Sequence, residues 1–148
     1  MALANISKTN IVSQVWQNLF ELVETIPDPS SRGVQFIFSA FPQQRKGTAS
    51  VYPCVIIESP DVSGNNIILG HSLRSYNWSI PISIYSTRME TVDSLADSVL
   101  GTLEASKGSL EANGMYQLNF TSSPTFHAVV GGNIIHEKRI VVEAEGLV

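Results

Sequence analysis

The chain has 148 residues, of which 43% are hydrophobic and only 15% charged, and its formal net charge is −4. This length and hydrophobicity predict one folded domain over residues 1–148 and exclude intrinsic disorder. Nine basic residues against 13 acidic ones exclude the electrostatic footprint of a protein that binds DNA phosphates. The single cysteine, Cys54, excludes an intrachain disulfide and a thiolate zinc cluster.

The sequence predicts neither a membrane span nor a secretion signal. No apolar run approaches the ~18 residues that a membrane-spanning helix needs. The first eight residues lack the basic and then apolar pattern of a signal peptide. We therefore expect the protein to be made and used in a reducing compartment inside a cell.

The first third of the chain predicts one helix followed by short strands. Apolar residues at three- and four-residue spacing indicate an amphipathic helix that ends before Pro27: Val12, Val15, Trp16, Leu19, Leu22, Val23 and Ile26. Strands are predicted over 33–40 and 52–58, separated by a polar loop that contains Arg45 and Lys46. Residues 59–66 have the composition of a turn.

The clearest periodicity lies between residues 74 and 86 and predicts a half-buried strand. Five apolar residues alternate there with five mostly polar ones: Tyr76, Trp78, Ile80, Ile82 and Ile84 against Ser75, Asn77, Ser79, Pro81 and Ser83. Because Pro81 has no N–H to donate, it favours an edge position or a bulge.

A second helix and three further strands are predicted in the rest of the chain. Thr87 and Glu90 form a T-x-x-E capping box before an apolar helix face, and Gly108 is placed where that helix would end. Strands are predicted over 115–123, 126–130 and 134–143, with Gly131-Gly132 as a hairpin turn. The fold class is therefore α+β, a mostly antiparallel sheet with two helices packed on one face.

Motifs for catalysis or cofactor binding are absent from the sequence. Neither phosphate-binding glycine pattern occurs, and Gly70-His71-Ser72 lacks the second glycine of a nucleophile elbow. His71, His127 and His136 lack the compact spacing of metal ligands, and Cys54 is predicted to be a buried structural residue. We predict no enzyme activity and no catalytic, cofactor-binding or metal-binding residue.

Two surface features remain to be explained. On the second helix, Glu90, Asp93, Asp97 and Glu104 fall within about 60° of arc at 100° per residue. This acidic stripe is either a solvated helix face, or a wall that repels a passing polyanion or docks a basic partner.

The second feature is an uncharged segment from residue 47 to residue 87. Its 41 residues include only three charged ones, Glu58, Asp61 and Arg74. The segment is either a β-rich core with serine on its wet face or an oligomer interface, since interface cores are depleted in charge.

Several local patterns, taken in order, resemble those of a known family. They are Phe36-Ile37-Phe38 after the first helix, the Y-P-x-V-x-I strand Tyr52 to Ile57, the alternating strand that leads into the helix Thr91 to Leu100, and the closing strand His136 to Val142. Together they resemble the tail terminator, or tail completion, proteins of long-tailed bacteriophages.

The resemblance implies a structural subunit without cofactor that forms a hexameric ring in the neck of the virion, after assembly in the host cytoplasm. Such a ring caps the tail tube, stops its polymerisation and joins the tail to the head-side connector. The implied partners are copies of the chain, the tail tube protein, the connector and, in contractile tails, the sheath protein. DNA passes through the ring without specific binding.

The candidate assembly contacts are the residues of the polar loops and of the uncharged strand face: Arg45, Lys46, Asp61, Asn65, Ser75, Asn77 and Ser79. Two alternatives stay open. One is another ring-forming neck or head-completion connector, and the other is a small cytoplasmic enzyme or ligand-binding domain.

Overall fold

The computed structural model describes residues 3–7, 9–31, 35–40, 51–66, 74–130 and 132–147. Three helices lie in these ranges: α1 (Ile11–Glu24), α2 (Met89–Ala105) and α3 (Lys107–Ala112). The apolar spacing predicted α1 and α2, and the buried residues of α2 lie on the predicted face. In α1, Val15, Leu19 and Val23 are buried as predicted, but Val12 is exposed and the polar Asn18 is buried.

Seven strands form one sheet, one more than the sequence pattern predicts, and the α+β fold class is confirmed. They are β1 (Ile37–Phe38), β2 (Cys54–Ile57), β3 (Asp61–Asn66), β4 (Arg74–Ser86), β5 (Tyr116–Ser122), β6 (Phe126–Val130) and β7 (Asn133–Leu147). The order across the sheet is β1-β2-β4-β7-β5, while β3 also pairs with β4 and β6 with β7. Only β1 and β2 pair in parallel, so the sheet is mixed and mostly antiparallel.

The helices cover one face of this sheet. The apolar residues of β4 alternate as predicted, and Ile80 and Ile82 are fully buried beside Val142 and Ile140 of β7. Helix α2 packs against β4 and β7, and α1 packs against α2. The Trp16 indole of α1 donates a 2.9 Å hydrogen bond to the carbonyl of Ile57 at the end of β2. Burial of each large aliphatic side chain contributes about 1.5–3 kcal/mol to this core.

The prediction that Pro81 marks an edge position or a bulge is wrong, because β4 lies at the centre of the sheet and pairs with β7 through Pro81 without a register shift. On one side, β4 pairs first with β3, as far as Ser79, and then with β2, from Ile82 onward. Pro81 therefore faces the break between the end of β2 and the start of β3. The carbonyl of Pro81 accepts a hydrogen bond from Glu58 N at this break. The N–H and C=O of one strand residue point the same way, so the missing N–H also faces the break.

The predicted turn over residues 59–66 is also wrong for most of its length. Residues Asp61 to Asn66 form β3, which pairs with β4 in continuous antiparallel alignment. Asp, Gly and Asn have low strand propensity, but pairing with a long neighbouring strand overrides that preference. In the preceding segment, the predicted strand over 33–40 pairs only at Ile37 and Phe38; residues 32–34 lie outside the described ranges.

The ends predicted for the second helix need correction. Its N-cap is Arg88 and not Thr87, so Glu90 occupies the second helical position, and no side-chain cap forms. A capping box requires the acidic residue at the third position. Gly108 does not end α2 but lies inside α3, which follows after Ser106. The sequence therefore predicts two helices where the structure has three.

Trp78 fills a slot between β4 and the end of β7. Its indole ring lies directly over Gly146, where a β-carbon would overlap Trp78 Cη2 and come within 2.7 Å of the Gly114 carbonyl oxygen. The side chain is 1% exposed, and its Nε1 has no hydrogen-bond partner among the described residues. The indole ring is therefore closely packed, although its N–H makes no hydrogen bond with the described residues.

Candidate interaction surfaces

A groove of about 420 Å³ crosses the sheet on the side away from the helices. It is formed by side chains that alternate outward from β3, β4, β5 and β7, and we call it the open face. Ser79 lies at its centre, directly between Asp61 of β3 and Glu143 of β7. Asn77 lies between Ser63 and Glu145 in the next outward-facing row. The open face is therefore polar along its whole length.

The open face carries negative charge. Of the described residues that line the groove, Asp61, Glu143 and Glu145 are acidic and none is basic. Within the described part of the chain, none of these three carboxylates makes an ion pair. The uncharged strand face predicted from the sequence is thus the middle of an acidic surface, because its neighbours on both sides supply carboxylates.

The structure brings together most of the predicted assembly contacts. Asp61, Asn77 and Ser79 line the open face, and Ser75 lies on the same side of β4. Asn65 pairs with Ser75 in the backbone alignment of β3 and β4. The other two predicted contacts, Arg45 and Lys46, lie outside the described residues.

Sequence reasoning missed Glu143 and Glu145 as members of this surface. The alternating pattern of β7 could have identified them. Buried Ile140, Val142 and Ala144 alternate with less buried residues, of which Glu143 and Glu145 are exposed. What the sequence alone did not supply was the pairing that aligns Glu143 with Ser79 and Asp61.

The acidic stripe on α2 has less unbalanced charge than its sequence indicates. Glu90 lies 3.6 Å from Arg88, Asp93 2.9 Å from Lys138 and Glu104 3.1 Å from Lys107. The fourth residue, Asp97, is exposed and makes no ion pair with the described residues. Three of the four predicted carboxylates therefore have a cation beside them.

Asp93 connects α2 to the strands at the far end of the sheet. Its Oδ1 accepts hydrogen bonds from Thr125 Oγ1 at 2.8 Å and from Lys138 Nζ at 2.9 Å. These two bonds lower the pKa of the Asp93 carboxyl below its ordinary value of 3.8. Thr125 directly precedes β6, so the contact fixes the position at which β6 begins.

We expect Asp93→Asn to lower the free energy of unfolding by about 0.5 kcal/mol at pH 7, because a partly exposed ion pair contributes little. The lowered pKa means that this contribution is present above pH 3.8 and is lost as the pH falls through the pKa of the folded state. Urea unfolding at pH 7 and below pH 3 measures the difference. Asp97→Asn is the control and should leave the free energy of unfolding unchanged at both pH values. An equal loss of stability in the two variants would contradict the stabilising role of the Asp93 contacts.

The histidines and the cysteine do not form a shared site. His127 and His136 are neighbours across β6 and β7, with ring centroids 6.2 Å apart, while His71 lies outside the described residues. Cys54 is buried, as predicted. In the described ranges, no three histidine, cysteine or acidic residues are grouped as a metal site would require, and no helix could span a membrane.

The chain is similar to one chain in a solved structure of the virion of a native gene transfer agent (GTA) particle. The two share 13% sequence identity with a TM-score of 0.47, and the alignment covers 88% of this chain and 84% of that chain. No protein-family model and no curated protein matches the sequence. A similarity of this strength does not by itself assign a function.

Proposed function

We propose that the chain is a structural virion protein of the tail terminator type. In this proposal about six copies form a ring that caps the tail tube, stops tail polymerisation and joins the tail to the head-side connector. The main support is where the family-like sequence patterns lie in the fold. β2, β4 and β7 are consecutive neighbours in the sheet and α2 packs on two of them, so these patterns form one contiguous unit.

The proposed role includes no chemical reaction. Among the described residues, the groups that an enzyme would use are separated: Cys54 is buried in β2, and the His127–His136 pair lies on a hairpin at the end of the sheet. General acid–base or nucleophilic catalysis needs such groups to converge on one reacting atom. The described lining of the open face has carboxylates, amides and hydroxyls spread along a groove, not converging on one point.

In the proposed ring, the open face borders the channel through which DNA passes. Its carboxylates, Asp61, Glu143 and Glu145, have no cationic partner among the described residues, so they would repel a polyanion. The α2 stripe suits this position less well, because three of its four carboxylates are paired. The stripe would then face solvent or a neighbouring protein.

We expect the purified chain to form rings of about six copies, alone or when tail tube protein is added, since closed cyclic symmetry is the usual form of such assemblies. Light scattering coupled to gel filtration gives the mass, and negative-stain images show the ring. The ring should not retain duplex DNA at low salt. A chain that remains monomeric beside tail tube protein contradicts the proposal.

A capping assay separates the terminator from the related connector role. A terminator added to polymerising tail tube protein should shorten the tubes and appear at one end of each. A neck or head-completion connector should leave tube length unchanged and bind the head-side assembly instead.

A further inference from the structure

The β6–β7 hairpin projects beyond the rest of the sheet. β4 pairs with β7 only from His136 onward, so residues 133–135 of β7 have β6 as their one neighbouring strand among the described residues. We call residues 126–135 the arm. Gly132 at its turn has a φ of 83°, a conformation that glycine adopts without strain.

The arm exposes large apolar side chains and carries no carboxylate, lysine or arginine. Phe126 is 58% exposed, Val129 71% and Ile134 53%, and the latter two are directly opposite each other across the hairpin. Such a cluster is unfavourable in water and is typical of a surface that another protein covers. An uncharged segment also loses little on desolvation, because no ion has to leave water.

The base of the arm is held in a fixed position. Asp93 of α2 binds Thr125 just before β6 and Lys138 just after the paired start of β7. On the other side of the sheet, Tyr85 Oη donates a hydrogen bond of 3.1 Å to Glu137. A projection that is already ordered loses little conformational entropy when it binds.

A matching groove lies at the opposite edge of the sheet. It has a volume of about 410 Å³ and is formed by the outer side of α1 and the segments that follow β1 and β2, and the described residues that line it are uncharged. Val12, Trp16 and Pro60 supply its apolar surface, and Val12 is 45% exposed. Trp16 is fixed by its hydrogen bond to Ile57 and by stacking on Phe20 at 4.8 Å. We call this the α1 groove.

We propose that the arm of one copy docks in the α1 groove of the next copy, a contact that rests on the proposed ring. The sheet order puts β6 beside β7 and the groove beside β1 and β2, with β4 between them. One copy therefore does not bring its own arm to its own groove. The arm and the described lining of the groove are both uncharged and largely apolar, and every copy carries one of each. Repetition of such a head-to-tail contact closes into a ring when the rotation per copy divides the circle.

Cross-linking between two different single-cysteine variants tests the contact. Val129→Cys and Val12→Cys proteins are mixed and treated with a short bismaleimide. The native Cys54 is kept in both proteins, because it is buried and should not react. We expect a cross-linked dimer in the mixture and in neither variant alone. Ser109→Cys, exposed on α3, is the control partner for Val129→Cys and should give only background. A cross-link in Val129→Cys alone, or to tail tube protein in place of a second copy, overturns the proposal.

A charge placed on the arm provides the second measurement. Val129→Asp should raise the concentration needed for assembly at least tenfold, because the carboxylate would be desolvated in the groove. Met89→Asp is the matched control, since Met89 is 51% exposed at the start of α2, outside the arm. Both variants should keep the circular dichroism spectrum of the parent. Rings that form unchanged in Val129→Asp overturn the arm contact alone, whereas a chain that never assembles overturns both proposals.

Discussion

Replacing Gly146 by alanine is expected to lower the free energy of unfolding by about 2–3 kcal/mol, as overpacking of a filled core does. The added β-carbon would overlap the ring of Trp78 and approach the backbone carbonyl of Gly114. Neither neighbour can move freely, because Trp78 is buried and Gly114 O belongs to the main chain. Chemical unfolding in urea, followed by circular dichroism, measures the change.

Gly101→Ala is the matched control for this substitution. Gly101 lies inside α2, and a β-carbon there would meet no atom within 4 Å. Alanine in an exposed helix interior should raise the free energy of unfolding by about 1 kcal/mol. The same chemical change should therefore act in opposite directions at the two positions. A loss below about 0.5 kcal/mol at Gly146 would show that the Trp78 ring shifts easily, contrary to the packing seen here.

The second large effect is expected for Ile82→Ala, which should cost about 3–4 kcal/mol. Ile82 is fully buried at the centre of β4, between Ile57 of β2 and Ile140 of β7. These neighbours belong to strands that are paired on both sides, so the cavity left by the substitution cannot collapse easily. The unfolding midpoint in urea should fall while the slope of the transition stays the same.

Ile134→Ala is the matched control, with the same atoms removed from a half-exposed position on the arm. It should change the free energy of unfolding by less than about 0.5 kcal/mol, as surface substitutions do. If the arm contact is correct, the same variant should weaken assembly. A large loss of monomer stability in Ile134→Ala would instead mean that the arm packs against its own chain.

Local periodicity predicted the parts of the fold that are amphipathic within one segment. The ten-residue alternation around Ile80 and Ile82 identified β4, and the three- and four-residue spacings identified α1 and α2. β3 was missed because its Asp, Ser, Gly and Asn residues acquire strand conformation only by pairing with β4. The edge prediction for Pro81 failed for the same kind of reason, since the break that it faces is made by two other strands.

For the candidate surfaces too, the sequence predicted what lies within one segment but not what other segments bring beside it. Asn77 and Ser79 could be assigned to one strand face from the sequence, but the carboxylates beside them come from residues more than 60 positions later in the chain, Glu143 and Glu145. The acidic stripe on α2 was correctly placed on one helix, and two of its cations, Arg88 and Lys107, lie within three residues of their partners. The third, Lys138, comes from β7, so this part of the charge balance depends on a tertiary contact that the helix sequence does not encode.

Pro81 also restricts how the central strand can align with its neighbours. A slip of one residue would turn the apolar side chains of β4 to the wrong face, so burial alone prevents it. A slip of two residues would keep every side chain on its own face, and burial would not oppose it nearly as strongly. It would, however, move the proline nitrogen from the break to a position opposite Asp61 or Ile56, inside a paired stretch where an N–H is needed. The residue that interrupts the ladder is therefore the one that selects a single alignment among those that the apolar pattern permits.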